Sequence, residues 1–412
     1  MRFRTLALTA LLALPFAALA KDDGWVGSWG ASPLPPAQAT ARFPATPSFG
    51  NQTIRQVVRL SVGGERIRLR LTNEYGAQPL DVGAARVALA DSAGAIQPGT
   101  ERVVTFSGRT STTIAAGSPL LSDPIDLVVG PLASLSVSLY FPQDTGQCTC
   151  HQVGLQETYV SAPGDFTAGT FTPASTLQAR AFLSGVDVLA PKAKAVVVLG
   201  DSISDGVGST AGANRRWPDL LAERLNTQGR RATPWGVVNH GISGNRVLAN
   251  GAGESALARF DRDVLSVPGA THVIVFEGVN DLGIAFGVAP PATGGAAAPL
   301  MDPVFGSDLL IAGYRQIIAR AHARGLLVFG ATIAPYEGAG YYRPEGNAVR
   351  EAVNNWIRTG GEFDAVLDFD AVLRDPAKPT QIKDGLHSGD HLHGSDAGYR
   401  AIAASIDLKL FQ

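Results

Sequence analysis

The chain has 412 residues, of which 45% are hydrophobic and 17% charged, and its formal net charge is −2. This composition excludes a disordered chain, and the near-neutral balance argues against nucleic acid or an anionic membrane surface as the main partner. The length suffices for two domains, each with its own core. Residues 1–20 read as a secretory signal: Arg2 and Arg4 form a basic start, an apolar run covers residues 6–19, and Ala18 and Ala20 fit a small-residue cleavage site. The apolar run is too short to span a bilayer comfortably, so no stable membrane anchor is expected. The expected location is the periplasm or the extracellular medium.

Residues 21–190 are predicted to be an all-β domain. The segments 66–71 (Arg-Ile-Arg-Leu-Arg-Leu) and 134–139 (Ser-Leu-Ser-Val-Ser-Leu) alternate strictly, as half-buried strands do. Further short strands are predicted near 54–62, 84–90, 101–106, 124–129 and 178–188, separated by Gly, Pro and Asn. This spacing implies a sandwich of the jelly-roll kind. Cys148 and Cys150 are the two cysteines. Two thiols, or a bridge closing a very small ring, both fit the sequence. Two cysteines do not make a structural zinc site.

The pattern changes at residues 189–194, and residues 191–412 form the second predicted domain. Apolar runs at 195–199, 235–239, 272–276, 326–330 and 364–368 read as buried strands. Helical stretches follow near 214–227, 254–265, 307–323, 344–358 and 396–409. Five strand-then-helix units predict a five-stranded parallel sheet of flavodoxin type, covered by helices on both faces. Ligands of such sheets bind beyond the carboxyl ends of the strands. Residues 285–304, rich in Ala, Gly and Pro, follow the third strand and read as a solvated loop overhanging that edge.

Two segments carry chemistry. In the first, the buried run 196–199 stops at Gly200-Asp201-Ser202-Ile203. A serine hydroxyl is a poor nucleophile at neutral pH unless a base lies within hydrogen-bond reach and a third group orients that base. The second segment, Asp390-His391-Leu392-His393, puts a carboxylate and an imidazole three residues apart, just before a helix.

These two blocks, with two between them, resemble the SGNH or GDSL-type serine hydrolases. Gly-Asp-Ser202-Ile resembles the nucleophile block, and residues 237–245 (Val-Val-Asn-His-Gly-Ile-Ser-Gly-Asn) the glycine block. Gly278-Val279-Asn280-Asp281 resembles the asparagine block, and Asp390 to His393 the aspartate–histidine block. The four occur in order over roughly residues 194–410. The N-terminal half resembles, more loosely, the β domain of a subset of secreted bacterial members. The resemblance implies Ser202 as nucleophile, His393 as base and Asp390 as its orienting partner. It implies an oxyanion hole from the backbone N–H groups of Ser202 and Gly244 and the amide of Asn280. No metal or organic cofactor is implied.

The competing residues are Gly241 for Gly244, and Asp384 with His387 for Asp390 with His393. Gly244 is preferred for its Ser-Gly-Asn context, and His393 because Gly398 and Tyr399 follow it. Asn239 is expected to tie two strand-end loops together, Asp201 to organise the turn, and Trp217 to pack. Glu277 is placed behind the site. Asp205, Asn245 and Arg246 are weaker cleft candidates. His151, His240 and His272 read as structural residues, since no spacing links them into a metal site. The resulting expectation is a secreted serine esterase for carboxylic esters, with an O-acetylated polysaccharide as substrate. A lipase or lysophospholipase is the rival within the class, and an inert glycan-binding scaffold the rival outside it.

Overall fold

The computed structural model describes residues 24–39, 45–91, 94–169, 171–227, 233–287 and 305–412. The signal segment and residues 288–304 of the Ala/Gly/Pro-rich stretch lie outside them.

The N-terminal region is built from antiparallel strands. Trp25–Gly30, Leu183–Leu189, Ile67–Asn73 and Ser118–Leu121 form one sheet in that spatial order. The other sheet runs Pro173–Leu177, Thr158–Pro163, Gln52–Arg59, Ser134–Phe141, Ala84–Ala90, Arg102–Val103. Alternation does the folding: Ile67, Leu69 and Leu71 are buried while Arg68 and Arg70 face outward to Asp187. Apolar residues of both sheets, among them Val58, Leu69, Val137 and Val186, share one core, which makes a sandwich. The 124–129 segment differs from expectation. Ile125, Leu127 and Val129 point inward, but the chain makes only isolated bridges through Ile125 and Val129 and forms no continuous ladder. Cys148 and Cys150 form a buried disulfide, with Cα atoms 5.4 Å apart.

From residue 194 the architecture is a doubly wound α/β domain. Its five parallel strands are ordered Trp235–Gly241, Lys194–Gly200, Ala270–Phe276, Leu327–Ala331, Ala365–Leu367. The interior strand Lys194–Gly200 is flanked on both sides, with Val196, Val197, Val198 and Leu199 buried. Each such side chain stabilises the fold by about 1.5–3 kcal/mol, so a charge at Val198 would break the domain. The helices pack in two groups. Trp217–Thr227 and Phe369–Leu373 both pack on Asp396–Ser405, while Ser307–His322 packs with Ala256–Phe260 and Pro344–Thr359. Right-handed crossovers set these groups on opposite faces of the sheet.

The edge strand Trp235–Gly241 is covered by Trp25–Gly30 of the sandwich, which removes an exposed strand edge. The approach is close: a Cβ at Gly236 would stand 2.1 Å from the Gly27 carbonyl oxygen. Two sequence expectations needed local correction. The 254–265 helix is a short α-helix, Ala256–Phe260, continued as a π-turn over Asp261–Leu265. The segment after the third strand is itself a helix, Val279–Phe286.

Candidate active site

Three strand ends and one late loop converge. Ser202 opens a single helical turn, Ser202–Asp205, just after the strand Lys194–Gly200. Asp201 caps that turn by accepting the Ile203 N–H at 2.9 Å, the preferred use of aspartate at a helix start. Asp390 and His393 come together for a local reason. One carboxylate oxygen of Asp390 accepts the backbone N–H groups of Leu392 (3.0 Å) and His393 (2.9 Å). The turn so closed brings the imidazole back onto the other oxygen, with His393 Nδ1 2.6 Å from Asp390 Oδ2. His393 Nε2 then lies 2.8 Å from Ser202 Oγ, across 191 residues of sequence. Ser202 and His393 are buried, and the Asp390 side chain is about half exposed. Against the partial burial that would raise it, hydrogen bonds from the His393 ring and backbone hold the Asp390 carboxyl down at about 2. It therefore stays ionised opposite the imidazole.

Gly244 has φ +82°, a conformation that costs L-residues energy and that glycine adopts freely. Among the described residues, the backbone N–H groups of Ser202 and Gly244 have no acceptor. Gly241 is different in kind: its N–H donates to Asn239 Oδ1 (3.0 Å), and a Cβ there would stand 2.4 Å from the Asp205 backbone nitrogen. It is a packing glycine. Asn280, buried near the start of the helix Val279–Phe286, donates one Nδ2 hydrogen to the Asn245 carbonyl at 2.9 Å. An amide nitrogen has two hydrogens, so one donor remains. The Tyr341 hydroxyl donates to Asn280 Oδ1 at 3.4 Å, which fixes the amide orientation.

The alternative pair is set apart. Asp384 is fully exposed and 3.8 Å from His387. The His387 ring stacks on His391, and its Nδ1 accepts the Gly389 N–H. Other candidates are structural. Asn239 donates to the Ser204 carbonyl (2.7 Å), tying the second strand to the nucleophile turn. Asn245 donates to the carbonyls of Ala252 and Glu254. Arg246 donates to the Asn250 carbonyl. Trp217 is buried against Phe276 and Phe369. His272 packs against Trp235, Phe329 and Phe411, and His240 Nδ1 faces the Ser32 hydroxyl. Among the described residues no three His, Cys, Asp or Glu side chains are grouped to hold a metal ion.

Beneath the site lies a buried charge network that the motifs do not announce. Arg259 donates to Asn245 Oδ1, the carbonyls of Gly200 and His240, Ser32 Oγ, Asp263 and Glu277. Glu277 thus sits behind the site, where the sequence placed it. Burial, with neighbouring Asp201 and Asp281, pushes the Glu277 carboxyl well up. Burial also lifts Asp201 to about 7, with Asp281 and Asp205 adding to the effect. It lifts Asp281 to about 6 against hydrogen bonds from the Val247 and Leu248 N–H groups.

The sandwich takes part as well. His151 Nε2–H donates to Asp205 Oδ1 at 2.9 Å. The other oxygen of Asp205 accepts the Ser243 N–H (3.0 Å) and hydroxyl (2.7 Å). Asp205 therefore clamps the nucleophile turn to the loop that carries Gly244, and His151 closes the clamp from the N-terminal region. Sequence reasoning missed both Arg259 and this role of His151. The one available signal was the i, i+4 spacing of Arg259 and Asp263 on a predicted helix.

A doubly wound α/β domain with a serine–histidine–aspartate hydrogen-bond chain at its strand ends defines a hydrolase-like class. Residues 198–401 match the model of the GDSL-like Lipase/Acylhydrolase family, so the C-terminal half contains a domain of this GDSL/SGNH family. Comparison with curated proteins finds no match. Among solved structures the chain is similar to the acetyl xylan esterase AlAXEase: 22% identity over 51% of this chain and 96% of that one, TM-score 0.36. It is similar to the psychrotrophic esterase EstA from Pseudoalteromonas sp. at 17% identity, covering 52% and 93%, TM-score 0.35. A member of the lipolytic protein G-D-S-L family from Veillonella parvula DSM 2008 is 18% identical, covering 52% and 96%, TM-score 0.36.

Proposed function

We propose that this protein is a serine carboxylester hydrolase working through Ser202, His393 and Asp390. The observation that carries the reading is the unbroken chain from Ser202 Oγ to His393 Nε2 (2.8 Å) and from Nδ1 to Asp390 (2.6 Å). In the proposed cycle, Ser202 Oγ bonds to the acyl carbon as His393 Nε2 takes the hydroxyl proton. The carbonyl oxygen becomes an oxyanion, held by the N–H groups of Ser202 and Gly244 and the second Nδ2 hydrogen of Asn280. Collapse breaks the bond to the alcohol oxygen, which receives the proton from His393. Water then attacks the acyl-serine, with His393 again as base, and releases the acid. Asp390, ionised throughout, holds the tautomer and offsets the charge on the imidazolium.

Within this class we propose a short acyl group, acetate, carried on a polysaccharide. The sandwich packed beside the nucleophile turn favours a polymeric alcohol over a free lipid. We also propose that the protein is exported, on the strength of the basic start and apolar run in residues 1–20.

The test is hydrolysis of p-nitrophenyl acetate, butyrate and octanoate by the protein and by its Ser202→Ala variant. Serine-dependent turnover, fastest on acetate, is the expected result. A preference for octanoate would move the substrate to lipids. Equal rates for folded wild type and variant would refute the nucleophile and leave the glycan-binding scaffold.

A further inference from the structure

Gly244 is the third residue of a tight turn. The Asn245 N–H donates to the Ile242 carbonyl at 3.0 Å, and Gly244 takes the positive φ, +82°, that a type II turn requires at that position. The direction in which the Gly244 N–H points depends on what anchors the residues on either side. Upstream, Asp205 accepts the N–H and hydroxyl of Ser243.

Downstream the anchor is a second buried carboxylate. Asp281 is 4% exposed. Its Oδ2 accepts the Val247 N–H at 2.8 Å, and its Oδ1 accepts the Leu248 N–H at 3.1 Å. With the carboxyl at about 6, it is mostly ionised at neutral pH. Hydrogen bonds to an ionised acceptor are roughly twice as strong as neutral ones. A side chain in the first turn of the helix Val279–Phe286 thus reaches across 34 and 33 residues of sequence to hold another loop.

Its place in the chain gives this contact its meaning. Asp281 follows Asn280, whose Nδ2 donates to the Asn245 carbonyl at 2.9 Å. One dipeptide therefore grips residues 245–248 at three points. That dipeptide carries one proposed oxyanion donor, the Asn280 amide. The gripped loop carries another, the Gly244 N–H.

We propose that Asp281 is a positioning residue for the oxyanion hole, setting the spacing between the Gly244 N–H and the Asn280 amide. It acts through Val247 and Leu248 rather than by contact with the substrate. The role rests on the serine-hydrolase reading given above.

Two variants of the full chain separate spacing from mere attachment. Asp281→Asn leaves one acceptor and faces the other N–H with its own NH2. Asp281→Glu keeps both acceptors and displaces them by one methylene. Both are assayed on p-nitrophenyl acetate beside Ser202→Ala, with thermal melting to confirm folding. A misplaced oxyanion donor should lower kcat and kcat/KM together, about 10²-fold, with KM nearly constant. Affinity for phenylboronic acid, which forms a tetrahedral adduct with a reactive serine, should fall in parallel. Wild-type kcat in either folded variant would overturn the proposal, and so would a change confined to KM. If Asp281→Asn does not fold, Asp281→Glu decides. Failure of both to fold would make Asp281 a residue of general stability and overturn the proposal as well. Turnover that persists in Ser202→Ala would instead refute the serine reading itself.

Discussion

The His151 ring spans two acceptors, its Nε2 2.9 Å from Asp205 Oδ1 and its Nδ1 3.0 Å from the Ser32 carbonyl oxygen. A side chain of the sandwich thereby locks Asp205, and Asp205 locks the loop that presents Gly244.

Replacing His151 by Ala should therefore lower kcat with little change in KM. The loop shifts while the substrate-contacting groups remain. A displacement of this kind costs on the order of 10²-fold in rate. Steady-state kinetics on p-nitrophenyl acetate give the split between kcat and KM. A KM-only effect would assign His151 to substrate binding instead.

Arg259 is predicted to be a stability hub. Arg259→Met strips donors from Asn245, Asp263 and Glu277 and from the carbonyls of Gly200 and His240. Removing one partner of buried charges costs about 3–5 kcal/mol. Arg259→Lys should recover little, because an ammonium cannot reproduce the planar fork. Urea midpoints of the three proteins measure this.

The roles assigned around the serine separate by magnitude. Asp390→Asn should reduce kcat about 10⁴-fold, through the wrong tautomer. Asn280→Ala should cost about 10²–10³-fold if its free hydrogen meets the oxyanion. His387→Ala should leave kcat close to wild type, since its ring faces His391 and backbone. A loss at His387 matching that at His393 would reverse the choice of base.

Asp201 gives a pH prediction. Its carboxyl is raised from 3.8 to about 7 by burial. Between those values the folded state holds a proton that the unfolded chain has released, so stability falls as pH rises through the interval. Asp201→Asn keeps an acceptor for the Ile203 N–H and removes the ionisation. Its advantage over the parent should grow from pH 4 to about 7 and then level off. Thermal melting of both proteins across pH 4–9 shows whether the gap opens with that sign.

Much of the site was legible because its signals are local. A buried parallel strand reads as a continuous apolar run, so residues 196–199 marked the strand that delivers Ser202. Asp390 and His393 are joined by a turn that closes within three residues. The helix Val279–Phe286 was not expected, because its opening Asn280-Asp281 reads as a strand-end loop and its Gly283 is a weak helix former. The 124–129 segment alternated like a strand but lacks the continuous ladder that pairing would have supplied.

The sequence by itself determined the order of the five parallel strands along the chain and the identity of the serine, histidine and aspartate that meet. The elements follow from side-chain periodicity, and the choice of serine, histidine and aspartate from blocks that resemble those of the SGNH hydrolases. Only the tertiary structure decided that His151 braces Asp205 and that Arg259 gathers the strand ends. Those relationships depend on which distant segments share a low-dielectric interior. There a charge is costly unless paired, and no local pattern records the pairing.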